Sequence, residues 1–173
     1  MRKIIIRPAV PGDIGAITRI YADAVLNGTA SFEIEPPDQS EMLRRQTALL
    51  KNHYPYFAAE IEGLVAGYAY AGPYRMRPYN WSVEDSVYVT PQMHRKGMGA
   101  LLLRALVAAS AQRGYRQMIA VIGDTAQIGS IAVHERAGFS HVGTLHSVGF
   151  KHGKWLDTVL MQRPLGQGDA TAP

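Results

Sequence analysis

The sequence lacks cysteine altogether among its 173 residues. A disulfide framework, a thiolate metal site and a cysteine nucleophile are therefore excluded. Any transfer of an acyl group by this chain must be direct or must use a different nucleophile. The histidines show no metal-ligand spacing either, and we expect no metal site.

Long apolar runs are also absent from the sequence. The run from Ile4 to Ile6 is much shorter than the core of a signal peptide. No segment approaches the roughly 20 consecutive apolar residues of a membrane-spanning helix. These features predict a cytoplasmic protein that has no membrane partner.

Charge of either sign is sparse, at 18% of residues, and the formal net charge is +4. A nucleic-acid-binding protein needs a contiguous basic face, whereas these basic residues are scattered along the chain. We therefore expect no nucleic-acid partner. With 47% hydrophobic residues, the chain is long enough for one globular domain, which we place at residues 1–163. Residues 164–173 lack apolar periodicity and are predicted to form a flexible tail.

The apolar pattern alternates between helical and strand periods. Asp13 and Asp38 are candidate N-caps for two early helices, and Gly97 opens the clearest helix, which continues to Arg113. Another short helix is predicted over residues 130–137. Strands are predicted over residues 3–7, 56–61, 64–70, 83–89, 118–122, 139–145 and 155–163. Antiparallel hairpins together with a central βαβα unit predict an α/β fold with a mixed sheet.

The most informative segment begins where the strand ending at Val89 leads into a glycine-rich turn. Gly97 and Gly99 lie at the start of the long helix, and such a turn directs backbone N–H groups at an anion. A P-loop would need Lys and Ser or Thr directly after the last glycine. A dinucleotide fingerprint would need a third glycine at position 102, where the chain has Leu102. Neither phosphate motif fits.

The segment from His94 to Gly99 resembles the pyrophosphate motif of the GNAT superfamily of acetyltransferases, Gln/Arg-x-x-Gly-x-Gly/Ala, with His94 at the Gln/Arg position. The segment Val133–Phe139 resembles a second GNAT signature. Four further stretches resemble the phosphinothricin and methionine sulfone acetyltransferase branch, namely residues 70–74, 84–89, 120–123 and 149–155. The similarity extends from about Ile5 to Arg163.

The resemblance implies a GNAT-type fold, with a mostly antiparallel sheet, flanking helices and a splayed cofactor cleft. It also implies acetyl-CoA as the acetyl donor, a small amino-acid-like acid as the acceptor, and a homodimer. The hairpin around residues 151–154 is then expected near the acceptor site. The residues implied at the cofactor are Val87, Tyr88, Val89, His94, Arg95, Lys96, Gly97, Met98, Gly99, Gln127 and Ser130. Gln127 stands where relatives often have Asn, and Leu103 where some have Tyr.

Two residues are candidates for proton transfer. An ammonium group must lose a proton before it can attack, which requires a base nearby. Glu84 precedes the strand expected to hold the cofactor, and the resemblance implies a catalytic carboxylate there, acting directly or through water. His134 is the second candidate, because imidazole titrates near neutrality. The residue types alone also fit a solvated Glu84 and a His134 paired with some carboxylate.

Candidate acceptor-binding residues lie in two loops: Phe32, Arg75, Arg77 and Tyr79. An arginine fork suits a carboxylate or a phosphinate, although these residues also fit an ordinary exposed loop. Two other functions stay open. A protein or peptide N-acetyltransferase would need an open acidic groove, and a non-catalytic acyl-CoA sensor would need neither Glu84 nor His134.

Overall fold

The structure, a computed structural model, describes residues 3–173. Seven strands form one sheet in the order β1-β2-β3-β4-β5-β7-β6. The strands are β1 (Ile4–Pro8), β2 (Tyr56–Ile61), β3 (Leu64–Pro73), β4 (Ser82–Val89), β5 (Gln117–Ile122), β6 (Ser140–Lys151) and β7 (Lys154–Pro164). The helices are α1 (Ile14–Asn27), α2 (Gln39–Lys51), α3 (Met98–Gln112) and α4 (Ile128–Arg136). Among the described strands, only β4 and β5 pair in parallel, which confirms the predicted mixed, mostly antiparallel sheet.

Of the two predicted N-caps, Asp38 caps its helix and Asp13 does not. Asp13 directly precedes α1, but its carboxylate accepts from the Arg7 guanidinium and the Val10 N–H instead of from the helix. The side chain of Asp38 accepts a hydrogen bond from the backbone N–H of Glu41 at 2.8 Å, which is the N-cap that the sequence predicts for α2. Helix α3 follows Gly97, whose φ of +83° lies in the left-handed region that L side chains rarely adopt. In the described part of the chain, no helix is long and apolar enough to cross a membrane.

The core occupies both faces of the sheet. On one face, α3 buries Leu102, Leu103 and Leu106 completely. Removing such a side chain from water is worth about 2 kcal/mol. On the other face, α1 and α2 pack against a group of tyrosines that project from the strands, with Ile17 of α1 and Tyr68 of β3 fully buried. Because helices cover both faces, the sheet is held rigidly enough to position a site between its strands.

Three element boundaries differ from the sequence prediction by two residues or more. Strand β3 continues to Pro73, which places Gly72 opposite Glu84 on β4. Strand β6 continues to Lys151. Irregularities at His141/Gly143 and Leu145/Gly149 interrupt its alternating pattern, but they do not end its pairing with β7. Helix α4 begins two residues earlier than predicted, at Ile128.

The packed part of the chain also extends beyond the predicted boundary at residue 163. Leu165 is 1% exposed, and its backbone N–H donates to the Arg116 carbonyl at 2.9 Å. The prediction that the flexible tail begins at residue 164 is therefore wrong for Leu165, which belongs to the core. Flexibility of the residues that follow stays a prediction.

The sheet splits at its parallel seam. Strands β4 and β5 pair over four positions, from Ser82 opposite Gln117 to Asp85 opposite Ala120. Beyond Asp85, β4 stays paired with β3 as far as Val89, whereas β5 stays paired with β7 as far as Ile122. Within residues 3–173, one edge of β4 is thus left without a strand partner, and a cleft opens between the two halves of the sheet.

Candidate active site

A cavity of about 250 Å³ lies at the split between β4 and β5. Both predicted catalytic residues, Glu84 and His134, line it. So do four of the predicted cofactor residues, Val87, Tyr88, Gln127 and Ser130. The cavity is thus lined by residues of α1, β3, β4, β5 and α4 that lie far apart in the sequence.

The backbone of β4 presents alternate residues to the cleft. The N–H of Thr90 donates to the Ala66 carbonyl of β3 at 2.9 Å, so Tyr88, two residues earlier, also directs its backbone to β3. Val87 and Val89 direct their backbone groups the other way, into the cleft. Tyr88 lines the cavity, although its backbone groups are directed at β3. Pairing of the cofactor arm with this strand stays a prediction.

The glycine-rich turn lies at the end of this free edge. A side chain at Gly97 would meet no atom within 4 Å, and one at Gly99 would approach only Cγ2 of Val89, at 3.9 Å. The turn therefore presents an open surface at the N-terminus of α3, with the exposed side chains of Arg95 and Lys96 beside it. This arrangement suits a pyrophosphate.

Two other residues of the turn differ in what they can offer. The side chain of Met98 is fully buried in the core, so only its backbone can take part in binding. The imidazole Nε2 of His94 lies 3.0 Å from the Val89 carbonyl oxygen. His94 thus holds the turn against the end of β4 rather than extending toward an anion.

His134 makes two hydrogen bonds that occupy its ring. Nδ1 lies 2.8 Å from the Ser130 carbonyl oxygen, and Nε2 lies 2.9 Å from Oδ2 of Asp85. A carbonyl and a carboxylate both accept, so both ring nitrogens donate and the imidazole is held as a cation. Burial lowers the pKa of His134, but the hydrogen bond and negative charge of Asp85 outweigh burial and the net shift is upward. No ring lone pair is free to take a proton from a substrate.

Asp85 was missed by the sequence reasoning. Neighbouring residues of a strand face opposite sides, so a pattern that assigns Glu84 to the site assigns Asp85 to the other side of the strand. In the structure Asp85 is buried and nevertheless lines the cavity together with Glu84. The available signal was a second carboxylate directly after Glu84 in a β-like run, because one of two neighbouring strand residues faces inward and a buried carboxylate needs a partner. His134, 49 residues further along the chain, is that partner.

Glu84 is half-buried in the cavity wall. Burial, followed by the negative charge of Asp85, raises the pKa of its carboxyl, while the positive charge of Arg75 opposes the rise. A carboxylate whose pKa is raised is a better base near neutral pH. Of the two predicted catalytic residues, Glu84 has the geometry and the environment of a base.

The predicted acceptor residues lie outside the cavity lining. Arg75, Arg77 and Tyr79 are exposed in the loop that joins β3 to β4, and the guanidinium of Arg75 lies 5.2 Å from the centre of the Tyr74 ring. Phe32 packs against Gly149 so closely that a Cβ added at this glycine would come within 2.4 Å of the ring. Sequence reasoning missed the polar groups that do line the cavity, Tyr21, Ser31, Tyr70 and Ser86. Their spacing gives no signal, because three different elements and a loop supply them.

Comparisons with known proteins agree with this geometry. The family model described as an acetyltransferase (GNAT) domain matches residues 6–160. A phosphinothricin N-acetyltransferase of Alcaligenes faecalis is 49% identical over 93% of this chain and 82% of its own length. An L-methionine sulfoximine/L-methionine sulfone acetyltransferase of Pseudomonas paraeruginosa is 37% identical over 91% of this chain and 92% of its own.

Solved structures give the same result. A GNAT superfamily phosphinothricin acetyltransferase from Sinorhizobium meliloti, in complex with AcCoA, superimposes with a TM-score of 0.96 at 49% identity. That match covers 98% of this chain and 92% of the other. A Salmonella typhimurium acetyltransferase solved with its cofactor acetyl-CoA has a TM-score of 0.92 at 35% identity, over 95% of each chain. The predicted fold and acetyl donor are confirmed, and the protein belongs to the GNAT superfamily as an acetyl-CoA-dependent N-acetyltransferase.

Proposed function

We propose that the protein transfers the acetyl group of acetyl-CoA to the primary amine of a small amino-acid-like acid. Phosphinothricin and methionine sulfoximine or sulfone are the candidate acceptors, because the names of its relatives specify them. The observation that carries the proposal is the carboxylate of Glu84 in a cavity of about 250 Å³ at the free edge of β4. That volume fits an amino acid rather than a folded peptide segment.

The residues of the cleft fit the cofactor. When acetyl-CoA is bound, it supplies an activated acetyl thioester. The cleft-facing backbone of Val87 and Val89 supports pairing with the amide-containing arm, as an added strand would pair. The open turn at Gly97 and Gly99, with the Arg95 and Lys96 charges, supports binding of the pyrophosphate. Gln127 and Ser130, at the start of α4, border the cavity between these regions and the acceptor.

Glu84 is proposed as the general base. The ammonium group of the acceptor transfers a proton to the Glu84 carboxylate, directly or through a water molecule, and the neutral amine is then the nucleophile. The raised pKa of Glu84 brings the carboxylate closer to the pKa of an ammonium, which makes this transfer less unfavourable. The absence of cysteine is consistent with direct attack on the thioester. In this attack the C–N bond forms, the C–S bond breaks, and the leaving thiolate is protonated as the nitrogen gives up its surplus proton.

His134 is proposed to act through Asp85. The expectation that His134 exchanges protons with the reactants is not retained, because both of its nitrogens already donate. Its ring holds the Asp85 carboxyl in place by a hydrogen bond of 2.9 Å, and the negative charge of Asp85 in turn helps to raise the pKa of Glu84. His134 is therefore a positioning residue for the base.

The loop that carries Arg75, Arg77 and Tyr79 is proposed to bind the acid group of the acceptor. Arg75 already acts electrostatically on Glu84, which supports its being close to the amine end of the cavity. Arg77 lies two residues further along the same exposed loop. Phe32 contributes from the opposite loop as an apolar contact. A fork of two guanidinium groups suits a carboxylate or a phosphinate.

A homodimer is proposed on the basis of the edge strand β6. Four apolar side chains of β6 are about half exposed or more, and Trp155 of β7 beside them is 66% exposed. These four are Val142, Leu145, Val148 and Phe150. A long apolar edge of this kind is normally covered, and a second copy of the chain would cover it symmetrically.

We also propose a cytoplasmic location.

A thiol-release assay tests the proposed function. Acetyl-CoA is mixed with amino acids, their sulfone, sulfoximine and phosphinate analogues, and a short peptide with a free amino terminus. Thiol release with a free acid and none with the peptide is the expected result. Faster release with the peptide would favour a peptide N-acetyltransferase. Binding of acetyl-CoA with no release for any acceptor would favour a non-catalytic sensor.

A further inference from the structure

One wall of the cavity is made by a loop rather than by the sheet. We call residues 28–33, which follow α1, the pocket loop. Ser31 of this loop lines the cavity, and its Oγ lies 3.0 Å from the hydroxyl of Tyr21, which also lines it. Both residues are buried. The position of the pocket loop therefore sets the shape of the acceptor end of the cavity.

A lysine from the far end of the chain holds this loop. Lys151 is the last residue of β6, and its Nζ donates to the Ser31 carbonyl oxygen at 2.7 Å. Its neighbour Phe150 is 58% exposed, whereas Lys151 is 5% exposed. The alternation of the strand thus turns the ammonium inward, onto the back of the pocket loop.

Other contacts fit the loop closely against its surroundings. The Phe32 ring packs on Gly149, and a Cβ added at Gly123 would lie 2.7 Å from the Thr29 carbonyl oxygen. The Nε2 atom of Gln127 donates to Oγ1 of Thr29 at 3.0 Å. These contacts restrict where the loop can lie. The Lys151 contact is the charged one that acts on Ser31, the loop residue that faces the cavity.

Burying an ammonium group is costly, so its presence here calls for a reason. Burial lowers the pKa of Lys151, and the negative charge of Glu33 opposes that effect. Glu33 is itself engaged by Arg45, at 2.7 Å. An apolar side chain of similar length would fill the same space without the desolvation cost. What an apolar side chain cannot do is fix the Ser31 carbonyl by a directional hydrogen bond.

We infer that Lys151 is a positioning residue for acceptor recognition, which fixes Ser31 and, through it, Tyr21 at the wall of the acceptor cavity. The inference rests on the proposed function. It predicts that loss of the ammonium impairs acceptor binding and leaves acetyl-CoA binding intact, because the pyrophosphate turn and the free edge of β4 lie in other elements.

The test compares Lys151→Met, which keeps the length of the stem, with the conservative Lys151→Arg and with Lys51→Met. Lys51 is exposed at the end of α2 and controls for the loss of one positive charge. The affinity for acetyl-CoA is measured first by calorimetry, and a normal affinity confirms that each variant is folded. Lys151→Met is then expected to raise the acceptor KM about 10-fold, the usual effect of losing a charged hydrogen bond, with a smaller change in kcat. Lys151→Arg, which keeps a donor, is expected to restore part of that loss, and Lys51→Met to match the parent.

Amide hydrogen exchange provides a readout that does not need activity. Lys151→Met is expected to speed exchange in residues 28–33 while exchange in α3 stays unchanged. If the parent protein acetylates none of the acids, the proposed function fails, whereas the exchange result still tests the contact. Two results would overturn the inference. One is faster exchange in the loop with an unchanged acceptor KM. The other is a Lys151→Met variant that binds acetyl-CoA normally and has a normal acceptor KM.

Discussion

The Nε2 atom of His134 lies 2.9 Å from Oδ2 of Asp85, and both side chains are at most 5% exposed. This buried ion pair joins α4 to β4 at the point where the sheet splits. It also determines the charge beside Glu84, since the ionised Asp85 helps to raise the pKa of that neighbouring carboxyl. Stability and catalysis are therefore coupled at this pair.

Removing one partner of the pair is expected to destabilise the protein. His134→Gln leaves Asp85 buried without its counter-charge, which costs about 3 kcal/mol or more. The free energy of unfolding from urea denaturation measures the loss. Asp85→Asn combined with His134→Gln removes both charges and should recover part of it. A single His134→Gln variant as stable as the parent would show that the pair contributes nothing.

The same pair gives stability a pH dependence of known sign. The folded-state pKa of His134 is raised above its ordinary value of 6.5. The stabilisation is therefore fully present below about pH 6.5 and is lost as pH rises through the raised folded value. The difference in unfolding free energy between the parent and His134→Gln should shrink with increasing pH. A difference that grew toward alkaline pH would contradict the assignment of a cationic ring.

Glu84→Gln is expected to lower kcat by about 10²–10⁴-fold, the usual contribution of a general base. Acetyl-CoA affinity should barely change. In the parent, kcat should fall as pH falls through the raised pKa of Glu84, and the variant should lose that acid limb. Stability should be kept or gained, because the charged form of Glu84 is disfavoured beside Asp85. A near-normal kcat in this folded variant would show that Glu84 is not the general base.

Gly99→Val is expected to weaken acetyl-CoA binding at least 10-fold. The glycine lies in the first turn of α3, where a branched side chain would obstruct the approach of the pyrophosphate to the backbone. Gly99 is the better position to change, because Gly97 has φ of +83° and any substitution there adds strain. Gly12→Val, where a Cβ meets nothing within 4 Å, is the control. Calorimetry that gives equal affinity for both variants would move the cofactor site elsewhere.

Both loop arginines are expected to contribute to acceptor binding. Arg75→Gln should raise the KM of an acidic acceptor by about 10-fold to 100-fold, as the loss of a charged hydrogen bond implies. Arg77→Gln should raise the same KM, because a fork of two guanidinium groups is proposed to bind the acid. The KM of acetyl-CoA serves as the internal control. A normal acceptor KM in the double variant would place acid recognition outside this loop.

Much of this fold could be predicted because local chemistry determines it. The Asp38 cap, the glycine-opened α3 and the strand periods each depend on neighbouring residues, and each matches the structure closely. The extension of β6 could not be predicted in this way. Irregular pairing at Leu145/Gly149 interrupts the period, and only the partner strand β7 holds the extended part in the sheet.

The site was predictable only where it follows a motif. The glycine turn was found from its strand–turn–helix pattern, and Glu84 and His134 from their residue types together with the resemblance. The partner of His134 was not found, since Asp85 is 49 residues away in sequence. The link between Lys151 and Ser31 spans 120 residues, and no pattern along the chain indicates it. Acid binding by the loop arginines stays a prediction, because their chemistry suits an acid while their side chains lie outside the cavity lining.

The short parallel seam between β4 and β5 has a consequence for the lifetime of the protein. In the described sheet, four aligned positions join its two halves. A molecule that bridges the split therefore acts as part of the scaffold, and binding it at 100 times its Kd would add about 2.7 kcal/mol to stability. The melting temperature should follow the supply of acetyl-CoA, so that the enzyme is most easily degraded when its own substrate is scarce.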